Sequence, residues 1–345
     1  MEAKKKKILK ISGFSLMGVC IIFIGIAYYF FLSSQFHPAK TTYLLIDQDD
    51  NADSVYQKIE AKTHPGHISA FFWLAKKFDY SHHVHSGRYA VHHGDNVLMV
   101  FRRLYKGRQT PLDLAIGSVR TMDKLAHYLG TQLMIDSTQF AQRLNDTTYL
   151  AKIGYTPENV PALFITNTYQ MYWNITLDDF FKRMVKENKK FWNKERLAKA
   201  SADSLTPIQV TIFASIIEEE TNNKTEKPMV AGMYINRYKA GMPLQADPTI
   251  KFAIKNFDLH RVQGAILHVR SPYNTYTNIG LPPGPIRIPT TESIDAVLNR
   301  VHHNYYYMCA KNDFSGTHAF ATTYEEHMKN ARKYWKALNE RQIYN

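Results

Sequence analysis

The longest apolar run lies close to the start of the chain. Residues 11–32 carry no charge and are dominated by Ile, Phe, Leu, Val and Gly. As a helix these 22 residues span roughly 33 Å, enough to cross a bilayer core. Tyr28 and Tyr29 stand at the far end, where an aromatic belt is expected. Beyond it the pattern shortens. Alternation predicts strands over 42–46, 86–91 and 110–116, and helical spacing predicts helices from Asp53, over 68–78 and over 97–105. This gives a small α+β module over 43–118, joined to the apolar run by a polar linker, 33–42, that contains Pro38. Helical spacing prevails through 119–205, with helices over 122–133, 137–144 and 177–191 around an aromatic-rich loop and strand at 161–173. Aromatics at this density build cores, and they also pack against sugar rings.

The last part, 206–345, opens on a helix. Thr206 is an N-cap, Pro207 fits the first helical position and Gln209 completes a capping box. At about 100° per residue Ile212, Phe213, Ile216 and Ile217 form one stripe, and the helix ends in Glu218, Glu219 and Glu220. Glu220 falls in the middle of the stripe, Glu218 on roughly the opposite side and Glu219 near the edge. Two readings stay open. Glu220 is buried, its pKa is raised and it is a general acid; or the helix simply ends there and Glu220 reaches solvent. A helix over 228–238 follows, then a turn-rich segment over 241–249, a Pro/Gly-punctuated loop over 271–286, a hairpin from 305–308 and 316–320, and a charged helix over 324–339.

The formal net charge is +13, of which the first ten residues, with five Lys and one Glu, supply +4 and leave +9. The lysines before the apolar run predict a cytoplasmic N-terminus with everything after it extracytoplasmic. A cleaved signal peptide is the competing reading. The run is longer than a usual signal core, and no Ala-x-Ala site follows it. A basic body suits an anionic partner or plain solubility. No basic motif with interleaved aromatics points to nucleic acid. Cys20 lies inside the apolar run, so no bridge to Cys309 and no cysteine-based zinc site is expected. His82, His83, His85, His92 and His93 could bind metal, but no nearby Asp, Glu or Cys completes a ligand set, so they read as a solvated loop and strand face and no metal is expected.

Six stretches of the chain, in order, carry a resemblance: Ala214-Ser215-Ile216-Ile217-Glu218-Glu219-Glu220-Thr221, Ile235-Asn236-Arg237, Leu244-Gln245-Ala246-Asp247-Pro248-Thr249, Tyr273-Asn274-Thr275-Tyr276, Gly280-Leu281-Pro282-Pro283-Gly284 and Gly316-Thr317-His318-Ala319-Phe320. The chain resembles the endolytic murein transglycosylases of the YceG-like type. It departs from their pattern at Thr166-Asn167-Thr168, where Pro-Asp-Thr is usual, and at Met242-Pro243. The resemblance implies an α+β protein: an N-terminal transmembrane helix, a LysM-like module and a mixed α/β catalytic domain built on the glutamate helix. It implies Glu220 as the catalytic residue, since the family's glutamate stands directly before Thr or Ser. It implies Gln245, Asp247, Tyr273, Asn274 and Tyr276 as substrate-binding residues, no cofactor, peptidoglycan glycan strands as substrate and peptidoglycan synthases as partners.

The implied chemistry needs one carboxyl. Glu220 protonates the glycosidic oxygen between N-acetylmuramic acid and N-acetylglucosamine, then takes the proton of the muramic C6 hydroxyl as that oxygen closes on C1. A hydrolase would need a second carboxylate, such as Asp247 or Glu226. A catalytically dead wall-binding scaffold of the same architecture would need no Glu220. The expectation for Glu218→Gln is a much smaller effect than for Glu220→Gln, with Glu218 at the surface or behind the site.

Overall fold

A computed structural model describes residues 2–259 and 261–341, and the side chains from residue 15 onward. The lysine side chains of the expected basic tail and residues 342–345 of the expected catalytic part lie outside the described residues. The fold is mixed α+β and divides into two compact units, residues 1–113 with 170–175, and 114–169 with 176–345. The region 119–205, expected as a connecting region, falls in the second unit apart from 170–175.

In the first unit α1 (Glu2–Ala27) runs on into a π-helical turn, Tyr28–Leu32. Within this rod Ser15–Leu32 is long and apolar enough to cross a membrane, a test a signal sequence also passes. Then follow β1 (Thr42–Ile46), α2 (Ala52–Thr63), α3 (Ser69–Lys77), β2 (Gly87–Val91) and α4 (Val97–Tyr105). β1 and β2 pair antiparallel, Thr42 opposite Val91 and Ile46 opposite Gly87. Asn51 and Ser54 form a capping box at the start of α2, and Asn96 caps α4. The segment 33–42, expected as a linker, is built into this unit. Phe36 is fully buried with Leu44, Ile46, Ile59, Phe71 and Phe101, and the Gln35 and Phe36 N–H groups both donate to the Asp95 carbonyl at 3.1 Å. An apolar ring tied down by two backbone bonds is core. The histidines here are dispersed: His82 meets Asp79 at 2.9 Å and His92 meets Thr41 at 3.1 Å.

β3 (Leu112–Ile116) pairs with β4 (Asn167–Met171). Between them lie α5 (Met122–Gln132), α6 (Ser137–Asn145) and α7 (Thr147–Lys152). After β4 come α8 (Leu177–Phe191), α9 (Lys194–Ala202), α10 (Pro207–Glu220), α11 (Lys227–Lys239), α12 (Asp247–Ala253), α13 (Thr291–Leu298), β5 (Tyr307–Ala310), β6 (His318–Ala321) and α14 (Tyr324–Glu340). β5 and β6 form an antiparallel hairpin with Tyr307 opposite Ala321. Four helices were not foreseen in the sequence: α7, α9, α12 and α13. α7 and α12 are shorter than the window over which apolar period is legible. α12 also begins Asp247-Pro248, and proline in a first helical turn reads equally well as a loop.

α10 is the axis of the second unit. Thr206 caps it and Gln209 returns the bond to the Thr206 N–H, the capping box the sequence predicts. Every residue from Val210 to Ile217 is buried, Thr211 and Ser215 included, so the helix is enclosed on all sides rather than along one stripe. It packs with Val230, Ala231 and Ile235 of α11 and Ile294 and Val297 of α13 in one core. Burying that many Ile, Val and Phe side chains, at about 1.5–3 kcal/mol each, anchors α10 firmly beneath the side chains at its end.

Candidate active site

Three consecutive carboxylates at a helix C-terminus face the negative end of the helix dipole, and no basic side chain sits in the last turn of α10. Successive residues point about 100° apart, so each carboxylate enters a different environment. Glu218 turns inward. It accepts from the Ser118 hydroxyl at 2.8 Å and from the Thr290 N–H at 2.6 Å and hydroxyl at 2.7 Å, with Arg287 at 3.3 Å. Burial alone would push its carboxyl up; the bonds from Thr290 and Ser118 and the Arg287 charge hold it below the usual range. It therefore does not sit at the surface, as one expectation had it. It clamps α10 to the loop before α13. Glu219 accepts both fork nitrogens of Arg120, at 2.7 and 2.9 Å, and Arg287 at 2.8 Å.

Glu220 receives neither arginine. Among the described residues its hydrogen bond is from the Tyr234 hydroxyl on α11, 2.6 Å from Oε1. Burial pushes its carboxyl up to about 7, with the Tyr234 bond pulling the other way and the Asp247 charge adding to the rise. At neutral pH such a group is protonated about half the time and can give a proton and take one back. It is half-buried and lines a cleft of about 370 Å³ between α11, α12 and the β5–β6 hairpin, with Arg237, Gln245, Asp247, Tyr276 and His318 on the walls.

Of the residues expected at the site, Glu220, Gln245, Asp247 and Tyr276 come together in this cleft. Gln245 is exposed and has φ +53°, a left-handed conformation costing a non-glycine residue roughly 1 kcal/mol. It is held there by its N–H on the Thr275 carbonyl at 3.0 Å and by Arg237, whose Nη2 donates to the Gln245 Oε1. Asp247 accepts from the Tyr276 hydroxyl, and burial raises its carboxyl against that bond. Asn274 is fully buried, with its amide used up inside the loop: it donates to the Leu267 and Val269 carbonyls at 3.0 and 2.9 Å and accepts from the Tyr276 N–H at 2.9 Å. Tyr273 packs on Phe252, ring centres 4.7 Å apart, and lines a different cavity. These two residues thus shape the loop that presents Tyr276, and the cleft wall is formed without them. Glu226, the other candidate second carboxylate, is spent on the Thr221 hydroxyl and on the N–H and Nδ1 of His318. Burial would raise it, but the His318 bonds hold it low.

The sequence pattern assigns no role to Ile235-Asn236-Arg237 or to Gly316–Phe320. The structure supplies one for each. Arg237, 6% exposed, donates to the Pro243 carbonyl at 2.9 Å and the Tyr306 carbonyl at 3.0 Å besides Gln245, joining three walls of the cleft. His318 stands on β6 with Glu226 on its Nδ1, which leaves Nε2 as the nitrogen available to a ligand. His327 and Tyr307 stack with ring centres 5.5 Å apart on the same wall. A buried arginine whose pKa burial lowers and a carboxylate-backed histidine, both lining a cleft, are the signal that identifies such groups.

The sequence model of the YceG-like family matches residues 44–333 of this chain. A Bacillus subtilis (strain 168) protein named endolytic murein transglycosylase is 35% identical over 167 residues, 48% of this chain and 45% of the relative. A Streptococcus pneumoniae (serotype 2, strain D39) protein of the same name is 23% identical over 320 residues, 84% of this chain and 57% of the relative. The chain thus spans about half the length of the curated relatives it matches. A 2.6 Å crystal structure of a YceG-like protein from Listeria monocytogenes shares the fold, with TM-score 0.53 and 24% identity, over 84% of this chain and 99% of that one.

Proposed function

The chain belongs to the YceG-like family, and from that premise we propose that it is a membrane-anchored lytic transglycosylase that cleaves within peptidoglycan glycan strands. The observation that carries the reading is the setting of Glu220: the one carboxyl of three without an arginine, half-buried, bound by a tyrosine hydroxyl and facing an open cleft. The protonated Glu220 gives its proton to the oxygen linking C1 of N-acetylmuramic acid to the leaving N-acetylglucosamine. The C1–O bond breaks, and the carboxylate so formed takes the proton of the muramic C6 hydroxyl. O6 bonds to C1, leaving a 1,6-anhydro end and a Glu220 that is again protonated. No water is consumed, so no second base and no cofactor is needed. A carboxyl poised near neutrality serves both proton steps.

Gln245, held outward by Arg237, and His318, backed by Glu226, supply hydrogen bonds to sugar hydroxyl and acetamido groups. Asp247, fixed by Tyr276, contributes negative charge toward the cationic sugar that develops at C1. Asn274 and Tyr273 act through the loop they hold. The β1-α2-α3-β2 order of the first unit fits a LysM-like module over 43–118, with 206–345 as the catalytic part and 119–205 leading into it. Residues 11–32 span the membrane, with the N-terminus cytoplasmic and the site outside. Association with peptidoglycan synthases belongs to the same reading.

The test is digestion of purified peptidoglycan by the full chain in mild detergent, followed by mass spectrometry of the products. Anhydro-muramic ends that vanish in Glu220→Gln support the proposal. Reducing ends would assign a hydrolase using Asp247, and an undigested polymer would leave a binding scaffold.

A further inference from the structure

α3 has two faces with different fates. Ala70, Phe71 and Leu74 are buried in the core of the first unit, whereas Phe72 and Trp73 are 46% and 57% exposed. Lys76 and Lys77, one turn further on, are exposed as well. Two large rings on the surface of a small folded unit, followed by two lysines, make an amphipathic strip that the core does not use.

The position of this strip says what covers it. Phe30 and Phe31, in the last turn of the apolar rod, pack against the core of the unit, and the Phe31 ring meets the Trp73 ring edge-on with centres 5.5 Å apart. The Tyr29 hydroxyl lies 2.9 Å from His67 Nε2, just before α3. Asn96 donates to the Leu32 carbonyl at 3.3 Å, and Met99, one turn into α4, is 49% exposed. The rod therefore enters the folded unit directly, with no free chain between. Its register in a bilayer has little play. Lys10 bounds the apolar run on one side, and the residues from Ile11 to Phe30, where contact with the folded unit begins, rise roughly 30 Å, the thickness of a hydrocarbon core. Phe31 then lies at the outer edge of the hydrocarbon, and a ring touching it lies at the headgroup level. Tryptophan is the side chain that favours that level, and lysine heads there reach anionic phosphates.

We propose that the exposed face of α3, Phe72 and Trp73 with Lys76 and Lys77, rests on the outer surface of an anionic phospholipid bilayer beside the point where α1 emerges. The proposal rests on the reading that α1 crosses a membrane. The contact makes the first unit an interfacial body with two attachments, a span and a lipid-facing helix, instead of a domain swinging on a tether. Two attachments fix its orientation; a single helix leaves it free to rotate about its axis.

The experiment uses the full chain with Cys20→Ser and Cys309→Ser. Single cysteines are introduced as Trp73→Cys, Ile22→Cys or Asp49→Cys and carry a small polarity-sensitive fluorophore. The protein is reconstituted in phosphatidylcholine–phosphatidylglycerol vesicles with and without lipids brominated high on the acyl chains. The expected result is strong quenching at 22, quenching at 73 several-fold greater than at 49, and a loss of the effect at 73 when Lys76→Glu and Lys77→Glu are added. Equal quenching at 73 and 49 with 22 still quenched overturns the lipid contact while leaving the span intact. An unquenched label at 22 overturns the span itself. A label at 73 that is shielded by added glycan strands and not by lipid assigns the face to wall polymer and overturns the proposal.

Discussion

Glu220→Gln should stabilise the fold at neutral and alkaline pH, by an amount that depends on pH in a defined way. In the folded chain the carboxyl of Glu220 titrates near 7, against an ordinary value of 4.5. Between those two pH values the folded state keeps a proton that the unfolded chain has released. The folded state then binds more protons, so stability falls as pH rises through the window and levels off above it. At about 1.4 kcal/mol per pH unit the full loss has a ceiling of about 3–4 kcal/mol. The carboxyl is half-buried and opens on the cleft, and solvent screening brings the expected value to roughly 1–3 kcal/mol. Gln has the same shape, no charge, and an oxygen that still accepts from Tyr234. The variant should therefore gain on the parent between pH 4.5 and 7 and keep that gain at pH 8. Denaturant unfolding of the full chain in mild detergent measures it at pH 4, 5.5 and 8, with Trp192, buried in the core around α10, among the reporting fluorophores. A difference that is the same at all three pH values, or a parent that is the more stable at pH 8, would show that burial does not hold Glu220 protonated and would remove the physical basis for its proposed role as an acid.

Two further outcomes follow from the same geometry. Glu218→Gln removes the charge that gathers Ser118, Thr290 and Arg287, and should cost about 1–3 kcal/mol at pH 7. Because the folded Glu218 is held below its ordinary pKa, its stabilisation is present at neutral pH and disappears as pH falls through the acid range, so the variant should approach the parent near pH 3; a variant as stable as the parent at pH 7 would dismiss the clamp. Gln245→Gly relieves the positive φ and should gain up to about 1 kcal/mol in a thermal melt while lowering the rate of glycan cleavage. Loss of both stability and rate would mean that the Gln245 side chain, through Arg237, holds the loop more than its backbone strains it.

Much of the local structure is legible residue by residue. The apolar run at the start, the capping box Thr206–Gln209, the strand Thr42–Ile46 and the helix Val97–Tyr105 come from local pattern, and the structure has them where the pattern puts them. The short helices α7 and α12 escape because a single turn or two carries no period, and the burial of Phe36 escapes because one aromatic among polar residues does not advertise a core. A helical wheel singles out Glu220 by one apolar stripe. The structure buries α10 on every side, so the wheel is not the reason that Glu220 differs from its neighbours.

That reason lies 68 to 99 residues away along the chain. Arg120 and Arg287 come from separate loops and reach Glu218 and Glu219, whose charges they compensate. Tyr234 offers Glu220 only a neutral hydroxyl. Sequence by itself determined that three carboxylates end an apolar helix, because periodicity and capping are local. Which of the three stays protonated is a question of what surrounds each one, since a pKa follows burial and nearby charge, and only the tertiary structure brings two arginines to two of the carboxylates and none to the third.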